Sequence, residues 1–593
     1  MPLIDTAGLQ KEYDVIVVGS GAAGGQSAYT LTLDGAKVLM LEAGRNYVPE
    51  VETPMFNTPD QAPLRGTSTS DKEFGFYDAT VDGGWQIPGE PYSSASSDAD
   101  KTFWWWRARM LGGRTNHWGR ISLRNGPYDF KPKARDGLGF DWPISYEDVA
   151  PYYDKVEMLI GVYGDNNGLE NTPDSPAGCL LPAPKPRAAE ALIQKHAKKT
   201  GVPVIASHRA VLTQQLDYKR NAALLHPGNP RAQQIVADAM RSRAPCFWAT
   251  PCGRGCSTKA NYQSTTVHLP PAMATGNLDI LPNAMVREVE MGKNGRATGV
   301  VFIDKTTGKE LRAKARVIVL AASACETVRI LLNSKSAQFP QGLANSSGKV
   351  GKYLMDTVGA SVTGQIPALE NMPPHNEDGA GGDHMYAPWW LYKEQKAGKL
   401  DFARGYHIEI GGGRGMPSFG AASGLANHVG GYGKKLKQDM RRYYGSFVSL
   451  VCRGEMIPNE DSYCDIDPQK KDQYGIPTLR FHWKWSEHEK RQALHSHKAF
   501  TDVIENMGGR VTGKQDLLPG GFIIHEVGGA IMGSDPNRSV VNQWGQSWDV
   551  KNLFLTDGAP LASNADKNPT LTIMALAWRS ADYMLAAMKR KEL

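Results

Sequence analysis

Apolar residues along this chain gather in short runs, and runs of the same kind return at three distant places. Val15 to Val18 is an apolar run that predicts a buried parallel strand, and a similar run follows at Lys37 to Leu41. The pattern returns at Val317 to Leu320 and again at Leu553 to Thr556. Because one strand–helix–strand unit does not make a sheet, we expect these segments to converge in one mainly parallel sheet.

Helical patterns follow the later strands. Residues Ala324 to Asn333 predict a helix, and Pro569 opens a long helix with apolar periodicity, TLTIMALAWRSADYMLAAM. The long stretches between the strands, roughly 125 to 270 and 355 to 515, are rich in glycine, proline and aromatic residues and contain no internal repeat. We expect them to form a second part of the molecule that covers the first.

Three polar or glycine-rich stretches predict surface excursions or lids rather than core. They are Ser93 to Asp100, Pro373 to Asp383 and Gly411 to Gly433.

A glycine-rich sequence, GSGAAG, follows the first strand. Gly19, Gly21 and Gly24 have the spacing that gives a tight turn, a close approach to a pyrophosphate and tight packing of the next helix. The second strand ends at Glu42, which is placed to accept hydrogen bonds from the ribose hydroxyls of an adenosine. The glycines alone are a weak signal, but strand, spacing and acid together predict a dinucleotide site with FAD as its ligand.

Composition narrows the class of protein. The chain has 593 residues, of which 41% are hydrophobic and 22% charged, as in ordinary globular proteins. The net charge of +6 comes from 67 basic and 61 acidic residues scattered along the chain, so we expect no nucleic-acid partner. No apolar run approaches the ~18 residues of a membrane helix, and the N-terminus lacks the basic start and apolar core of a signal peptide. We therefore expect no membrane span and no export signal in this chain.

Three further segments carry a family resemblance. HEVGGAIMGSDPNRSVVNQWGQSWDVKNLFLTDGAPLASNADKNPTLTIMALAWR, from His525 to Arg579, resembles the closing signature of the glucose-methanol-choline (GMC) oxidoreductases. RARMLGGRTNHW, from Arg107 to Trp118, is similar to that family's first signature loop, and SACETVRILLNS, from Ser323 to Ser334, is similar to its second. Together with the nucleotide unit, these segments span residues 13 to 579.

The resemblance implies a discontinuous α/β fold. A Rossmann-like FAD-binding domain, of the GMC and p-hydroxybenzoate-hydroxylase-like type, would comprise residues 1–125, 270–354 and 516–593. An α+β substrate-binding cap would comprise residues 126–269 and 355–515.

The resemblance also implies cofactor-binding residues. Val286 would lie near the adenine through its backbone, and Asp557 would hold the ribityl or pyrophosphate region together with the amides that follow it. Four residues of the first signature loop would also bind FAD: Gly112, Gly113, Asn116 and His117.

Two residues of the closing signature would face the flavin N5, and these are His525 and Asn568. Oxidation of an alcohol by hydride transfer requires the hydroxyl proton to leave as the hydride goes, so a neutral imidazole is a suitable general base. The Asn568 amide can fix the same oxygen without competing for the proton. The alternatives are a core histidine with satisfied hydrogen bonds and, for Asn568, a helix cap.

His117 has a second implied role. Its offset from the glycine pair in GGRTNHW resembles family members that attach FAD covalently through a histidyl bond to the flavin 8α carbon. The alternative is a noncovalent residue that lines the isoalloxazine ring.

Three cysteines lie close together in CFWATPCGRGC: Cys246, Cys252 and Cys256. Their spacing is not a common zinc pattern, and no histidine follows at ligand spacing. The Cys252 to Cys256 segment resembles the cluster segment of bacterial sugar and gluconate dehydrogenases, which implies a three-iron, four-sulfur cluster that carries electrons away from the flavin. A disulfide bond or inert thiols are the alternatives.

The favoured function is an FAD-dependent dehydrogenase that oxidises a secondary hydroxyl of a sugar or glycoside. The long insertions and CGRGC look most similar to bacterial glucoside 3-dehydrogenases, which implies the C3 hydroxyl of a glucoside. Gluconate, fructose and glucose dehydrogenase large subunits remain close alternatives. A pyranose-oxidase-like enzyme that forms hydrogen peroxide and a noncatalytic flavoprotein are two further alternatives, although the intact His525 and Asn568 pair argues against the second.

Partners follow from the same resemblance. Relatives in the dehydrogenase branch are exported folded beside a small subunit that carries the twin-arginine signal, so we expect such a subunit and a periplasmic location. The electron acceptor would be a cytochrome c or another carrier. A cytoplasmic enzyme without these partners is the alternative.

Overall fold

The protein is described by a computed structural model, which covers residues 3–52, 83–247, 252, 256–372, 383–413 and 421–593. Apart from Asp383, the predicted excursion Pro373 to Asp383 lies outside the described residues.

The strands of the described residues are, in chain order, β1 Tyr13–Val18, β2 Val38–Leu41, β3 Gly83–Gly84, β4 Ser93–Ser94, β5 Arg107–Ala108, β6 Ile205–Ala206, β7 Leu278–Leu281, β8 Ala284–Met291, β9 Ala297–Asp304, β10 Glu310–Leu320, β11 Val358–Gln365, β12 Met385–Ala387, β13 Tyr406–Gly412, β14 Phe447–Gly454, β15 Tyr463–Lys471, β16 Pro477–His482, β17 Arg510–Gln515 and β18 Leu553–Leu555.

The α-helices of the same residues are α1 Ala22–Leu33, α2 Pro49–Glu52, α3 Pro127–Phe130, α4 Pro132–Asp136, α5 Tyr146–Ile160, α6 Ala188–Ala197, α7 Tyr218–Leu225, α8 Pro230–Arg241, α9 Ser264–Val267, α10 Leu269–Ala274, α11 Ala324–Asn333, α12 Tyr392–Lys396, α13 Ala421–Val429, α14 Gly433–Tyr443, α15 Glu487–Asn506 and α16 Thr570–Lys589.

A seven-stranded sheet joins the three distant segments. Its strands follow the order β7-β2-β1-β10-β9-β8, and β18 pairs with β10 as well. The pairs formed by β7, β2, β1, β10 and β18 are parallel, with Val15 opposite both Val38 and Val317. The prediction that these segments converge in one mainly parallel sheet is therefore confirmed. The antiparallel strands β9 and β8 extend the sheet from the first half of β10.

Both faces of the parallel strands are buried, which explains why their sequences are continuous apolar runs. Val15 and Val17 pack into one apolar cluster together with residues of α1, α10 and α16. Ile16 and Val18 point to the opposite face and join the main core. The alternation along β1 thus separates two layers that cover the sheet.

A six-stranded antiparallel sheet forms the second layer of the molecule. Its order is β17-β11-β14-β13-β12-β6, and α15 packs against β11, β14 and β17. Along β13, Tyr406 contacts the α15 side through the ring of Phe500. His407 and Glu409 alternate to the other face, and the partner of His407 in β14 is Arg453. The sheet therefore carries a row of charged side chains on one face. The predicted boundaries between the FAD-binding domain and the cap stay a prediction.

One local prediction differs from the structure. Pro569 is the residue before α16 rather than its first residue.

The stretch Gly411 to Gly433 was expected as a surface excursion or lid. Its described part contains α13, and Gly433 begins α14. Residues 424 to 433 are half-buried or exposed, which agrees with a position at the surface.

Candidate active site

An extended cavity lies at the carboxyl ends of the parallel strands, where α/β sheets bind their ligands. It encloses about 1540 Å³ of empty space, the solvent at its mouth included. Nine of the residues chosen from the sequence line it: Gly19, Gly21, Glu42, Gly113, His117, Val286, His525, Asp557 and Asn568. Three others are not among the lining residues: Gly24, Gly112 and Asn116.

The glycine turn after β1 is packed against backbone atoms at Gly19 and Gly24 but is open toward the cavity at Gly21. A Cβ atom on Gly19 would lie 2.5 Å from the carbonyl oxygen of Ala321, and one on Gly24 would lie 1.9 Å from the carbonyl oxygen of Gly19. A Cβ on Gly21 would meet nothing within 4 Å on the side that lines the cavity. This geometry fits a diphosphate that approaches the backbone at Gly21 and the N-terminus of α1.

Ser20 connects the glycine turn after β1 to Glu42 and to Gly112 of the first signature loop. Sequence analysis did not identify this residue. Its backbone N–H donates to the Glu42 carboxylate over 3.1 Å, and its hydroxyl donates to the same carboxylate oxygen. The Ser20 hydroxyl also accepts a 2.8 Å hydrogen bond from the N–H of Gly112. The other Glu42 oxygen accepts from the N–H of Gly44 at 2.7 Å. Glu42 is thus held by the backbone on one side and keeps acceptor capacity for a ribose hydroxyl.

The first signature loop places His117 against the cavity wall. The Asn116 side chain donates to the Leu111 carbonyl at 2.9 Å, which closes the loop behind His117. Burial, together with the positive charges of Arg120 and Arg114, lowers the pKa of His117 to about 3. The imidazole is therefore neutral at pH 7, the form that a bond to the flavin 8α carbon would require.

Asp557 follows β18 and is held at its carboxylate. One oxygen accepts from the Thr327 hydroxyl at 2.5 Å, and the other accepts from the N–H of Ala559 at 2.9 Å. Burial raises the pKa of Asp557 to about 6. Val286 lies in β8 and also lines the cavity.

His525 and Asn568 meet in the lining of the cavity. Asn568 Nδ2 lies 3.3 Å from His525 Nε2 and 3.4 Å from Glu409 Oε1. The second ring nitrogen of His525, Nδ1, lies 3.1 Å from the Thr357 hydroxyl. No side chain caps the first turn of α16, so the predicted alternative of Asn568 as a helix cap is not what this side chain does.

The loop that carries His525 is fixed by its backbone. Asp356 accepts the His525 N–H at 2.9 Å, and burial raises the pKa of this aspartate to about 7. Ile524 has φ of +66°, a left-handed conformation that a β-branched residue adopts only under constraint. Burial also lowers the pKa of His525 to about 3, with Arg453 adding to the effect, so the imidazole is neutral at pH 7.

The six-stranded antiparallel sheet contributes three charged or titratable side chains that sequence analysis did not identify: His407, Glu409 and Arg453. Glu409 lies between Asn568, His407 at 3.6 Å and Arg453 at 2.8 Å. Alternation in YHIEIGG places His407 and Glu409 on one face of a strand. That signal is present in the sequence, but it does not reveal which residues the face meets.

A buried charge cluster lies directly before Asn568. The Lys567 ammonium contacts Asp129 at 3.1 Å and Asp566 at 2.6 Å. Asp129, Glu455 and Asp566 bring ligand atoms within 4.8 Å of one another, the one such group among the described histidine, cysteine and acidic residues. Lys567 supplies positive charge at the centre of this group, and Arg135 pairs with Glu455 at 2.8 Å.

The cysteine segment lies beside the His117 loop. Cys256 is buried, whereas Cys246 and Cys252 are half-buried. Arg120 donates to the carbonyl of Cys252 at 2.5 Å and to the carbonyl of Asn116 at 3.0 Å, so one guanidinium joins the two segments. The three sulfur atoms are not gathered around a single-ion site among the described residues. Three thiols are nevertheless the donor set that a three-iron cluster uses.

Fold and site together define a class of protein. A cavity at the carboxyl ends of parallel strands, lined by a glycine turn and by a neutral histidine beside an asparagine, fits a flavin-dependent alcohol oxidoreductase. The chain belongs to the GMC oxidoreductase family, whose N-terminal part matches residues 13–358 and whose C-terminal part matches residues 458–577. Membership of this family supports FAD as the cofactor.

Several known proteins are similar over nearly the whole chain. The 2-methyl-1,2-propanediol dehydrogenase of Mycolicibacterium austroafricanum is 30% identical over 96% of this chain and 95% of its own. The fructose dehydrogenase large subunit of Gluconobacter japonicus is 27% identical over 97% of this chain and 98% of its own. A formate oxidase from Aspergillus oryzae has the same fold, with a TM-score of 0.60, 13% identity, and coverage of 98% of this chain and 99% of that one. The protein is thus an enzyme that oxidises a sugar or another alcohol at a CH–OH group.

Among the described residues, every helix is too short or too polar to cross a bilayer.

Ser20→Ala tests the link between the two turns. The change removes one donor from the buried Glu42 carboxylate and one acceptor from the buried N–H of Gly112. We expect the free energy of unfolding to fall by about 1–3 kcal/mol and FAD retention to fall with it. Thermal unfolding and flavin absorbance per chain measure both. Ser242→Ala, at an exposed helix end, is the matched control, and equal behaviour of the two variants would contradict the assignment.

Proposed function

We propose that the protein is an FAD-dependent dehydrogenase that oxidises a secondary hydroxyl of a sugar or glycoside, with the C3 hydroxyl of a glucoside as the favoured position. The observation that carries the proposal is the contact between His525 and Asn568 in the lining of the cavity. A base and an amide within 3.3 Å of each other can hold one hydroxyl oxygen between them. The intact pair also argues for a catalytic role rather than a binding role.

FAD, when bound, supplies the acceptor for the hydride. The residues that would hold it are those of the glycine turn, Glu42, the first signature loop, Val286 and Asp557. The open side of Gly21 and the remaining acceptor capacity of Glu42 fit its diphosphate and ribose. Trp106 and Trp118 also line the cavity and exclude water from part of its wall.

His525 takes the hydroxyl proton in this proposal. Its pKa of about 3 keeps the ring unprotonated across the physiological range, because burial disfavours the imidazolium. Asn568 holds the substrate oxygen in place without itself accepting the proton. The base is weak in the resting site, so its strength depends on the charges that surround it once substrate is bound.

The substrate class rests on resemblance. The long insertions and CGRGC favour a glucoside, and the similarity to a fructose dehydrogenase large subunit agrees with a sugar. A small aliphatic diol is the second candidate, since the relative that is 30% identical is named for such a substrate. Rates of flavin reduction by a glucoside, fructose, gluconate and 2-methyl-1,2-propanediol would rank these substrates.

The electron acceptor and location belong to the same proposal. We place a three-iron, four-sulfur cluster on Cys246, Cys252 and Cys256, where it would supply a one-electron relay from the flavin to a cytochrome c. The support is the Arg120 guanidinium, which connects the Cys252 segment to the His117 loop. A small subunit with the export signal would carry the folded chain to the periplasm. A pyranose-oxidase-like enzyme without iron is the alternative.

His525→Ala tests the general base. We expect FAD to stay bound, while the rate of flavin reduction by substrate falls by at least ~10²-fold, because the hydroxyl proton has no acceptor. Anaerobic stopped-flow absorbance measures this rate. Asn568→Ala should lower it less. A His525→Ala protein that is reduced at the wild-type rate would remove the assignment.

His117 is the proposed point of covalent attachment. Acid precipitation should leave the yellow flavin on the wild-type protein, and His117→Ala should release it while keeping some activity. Absorbance of the supernatant and the mass of the intact chain are the measurements. Complete release of FAD from the wild-type chain would show noncovalent binding instead.

The cysteine segment is tested by its iron. Iron and acid-labile sulfide, measured on anaerobically purified protein, should approach three and four per chain, and the oxidised cluster should give an electron paramagnetic resonance signal. Cys252→Ser should lose the signal and slow transfer to a cytochrome, with flavin reduction by substrate unchanged. Cys464→Ser, at a buried thiol outside the segment, is the control. Less than about one iron per chain, with fast reaction of the reduced flavin with oxygen, would favour the oxidase.

A further inference from the structure

We propose that Glu409, held by Arg453, orients the side-chain amide of Asn568 and thereby fixes the tautomer of His525. Glu409 acts as a positioning residue in this inference, because it contacts Asn568 rather than the substrate oxygen. The inference rests on the proposed function, since it concerns how the same pair is prepared for proton transfer.

Glu409 is ionised and can only accept hydrogen bonds. Burial would raise its pKa, but Arg453 at 2.8 Å and His407 at 3.6 Å outweigh burial and hold the pKa well below the usual range of a glutamate. Arg209, Asp383 and His525 also interact electrostatically with Glu409, and Arg114 acts on His525. One oxygen of Glu409 faces Arg453, and the other, Oε1, faces Asn568.

An acceptor at this position determines which way the Asn568 amide points. If the carbonyl oxygen Oδ1 faced Glu409, two acceptors would oppose each other in a buried site. With Nδ2 toward Glu409, one N–H points to Oε1 at 3.4 Å and the second points to His525 Nε2 at 3.3 Å. Oδ1 is then left with no hydrogen-bond partner within the described part of the chain.

The orientation of the Asn568 amide in turn determines which ring nitrogen of His525 carries the proton. An N–H directed at His525 Nε2 requires a lone pair there, so the single proton of the neutral imidazole lies on Nδ1. Thr357 Oγ1 is 3.1 Å from Nδ1 and accepts this proton's hydrogen bond. The same hydroxyl oxygen accepts from Asn564 Nδ2 at 3.2 Å, which its two lone pairs allow. The N–H groups of Asn568, His525 Nδ1 and Asn564 that point along this chain thus each have an acceptor.

This arrangement suits the step of alcohol oxidation in which the substrate hydroxyl loses its proton. A substrate hydroxyl must lie close to His525 Nε2 to give up its proton, and Asn568 Nδ2 is the atom beside that place. An N–H at this position stabilises the negative charge that develops on the oxygen, whereas a flipped amide would present a carbonyl and repel it. Glu409 therefore keeps the lone pair of His525 Nε2 and an N–H of Asn568 beside the reacting oxygen. With the amide flipped, a protonated Nε2 and the Asn568 carbonyl oxygen would lie there instead.

The test compares Glu409→Gln with the wild-type chain, both full length and loaded with FAD. A glutamine offers either a donor or an acceptor to Asn568, so both amide orientations become populated. We expect the limiting rate of flavin reduction to fall by about 10- to 100-fold, while the apparent dissociation constant of the substrate changes less than about threefold. Glu370→Gln, which breaks an exposed pair with Arg442 in the same cap, is the matched control and should keep the wild-type rate.

A spectroscopic measurement separates positioning from general damage. Selective ¹⁵N-histidine labelling, with the His525 signals assigned by their loss in His525→Ala, shows which ring nitrogen carries the proton. The wild-type chain should show a protonated Nδ1 and an unprotonated Nε2, and Glu409→Gln should show a mixture. Glu409→Asp keeps the charge beside Arg453 but withdraws the carboxylate from Asn568, so it should fall between the two in both rate and tautomer.

Each result decides the inference. A wild-type rate in Glu409→Gln would overturn it, and so would a slow variant whose His525 nitrogens are unchanged. If Glu409→Gln does not fold, Glu409→Asp gives the same decision from its rate and tautomer. Failure of the proposed function is recognised separately, because His525→Ala would then be reduced as fast as the wild-type chain whatever Glu409→Gln does.

Discussion

The parallel pairing of β1 with β10 is the contact on which the rest of the structure depends. It joins Tyr13 to Ala315 and Val18 to Leu320, segments far apart along the chain, and β18 then pairs with the other side of β10. The loss of chain entropy grows only slowly with the length of the closed loop. The burial of both faces of the paired strands, in contrast, stabilises the fold at every residue of the pairing. The glycine turn, the carboxyl end of β10 and Asp557 all take their places from this pairing.

Much of this framework could be predicted from the sequence because it follows local rules. The run at Val15 to Val18 is apolar because both faces of a parallel strand are buried, and α11 begins and ends at the residues that its periodicity indicates. Ser20 could not be recognised in the same way, since a serine inside a glycine turn resembles any small polar residue. Its importance comes from Glu42 and Gly112, which reach it only after folding.

The residues of the candidate site also differ in whether the sequence predicts them. His525 and Asn568 were found because they stand in a signature with fixed spacing, whereas Glu409 and Arg453 belong to insertions without one. Strand alternation places His407 and Glu409 on one face, but no pattern tells that the face meets Asn568, which lies 159 residues farther along the chain. The flavin side of the site is thus determined by backbone turns, and the cap side by ion pairs between distant side chains.

The charge cluster before Asn568 has a consequence for sequence evolution. Lys567 is almost fully buried and contacts two buried carboxylates, Asp129 and Asp566, so the loss of the lysine alone would leave uncompensated negative charge in the core at a cost of about 3–5 kcal/mol. Replacement of all three by well-packed apolar residues would avoid that cost, but the route to it passes through variants that are hard to fold. Lys567 is also adjacent in sequence to Asn568, so a change at this lysine would also disturb the position of Asn568. Divergence in this family should therefore show these three positions changing together or not at all.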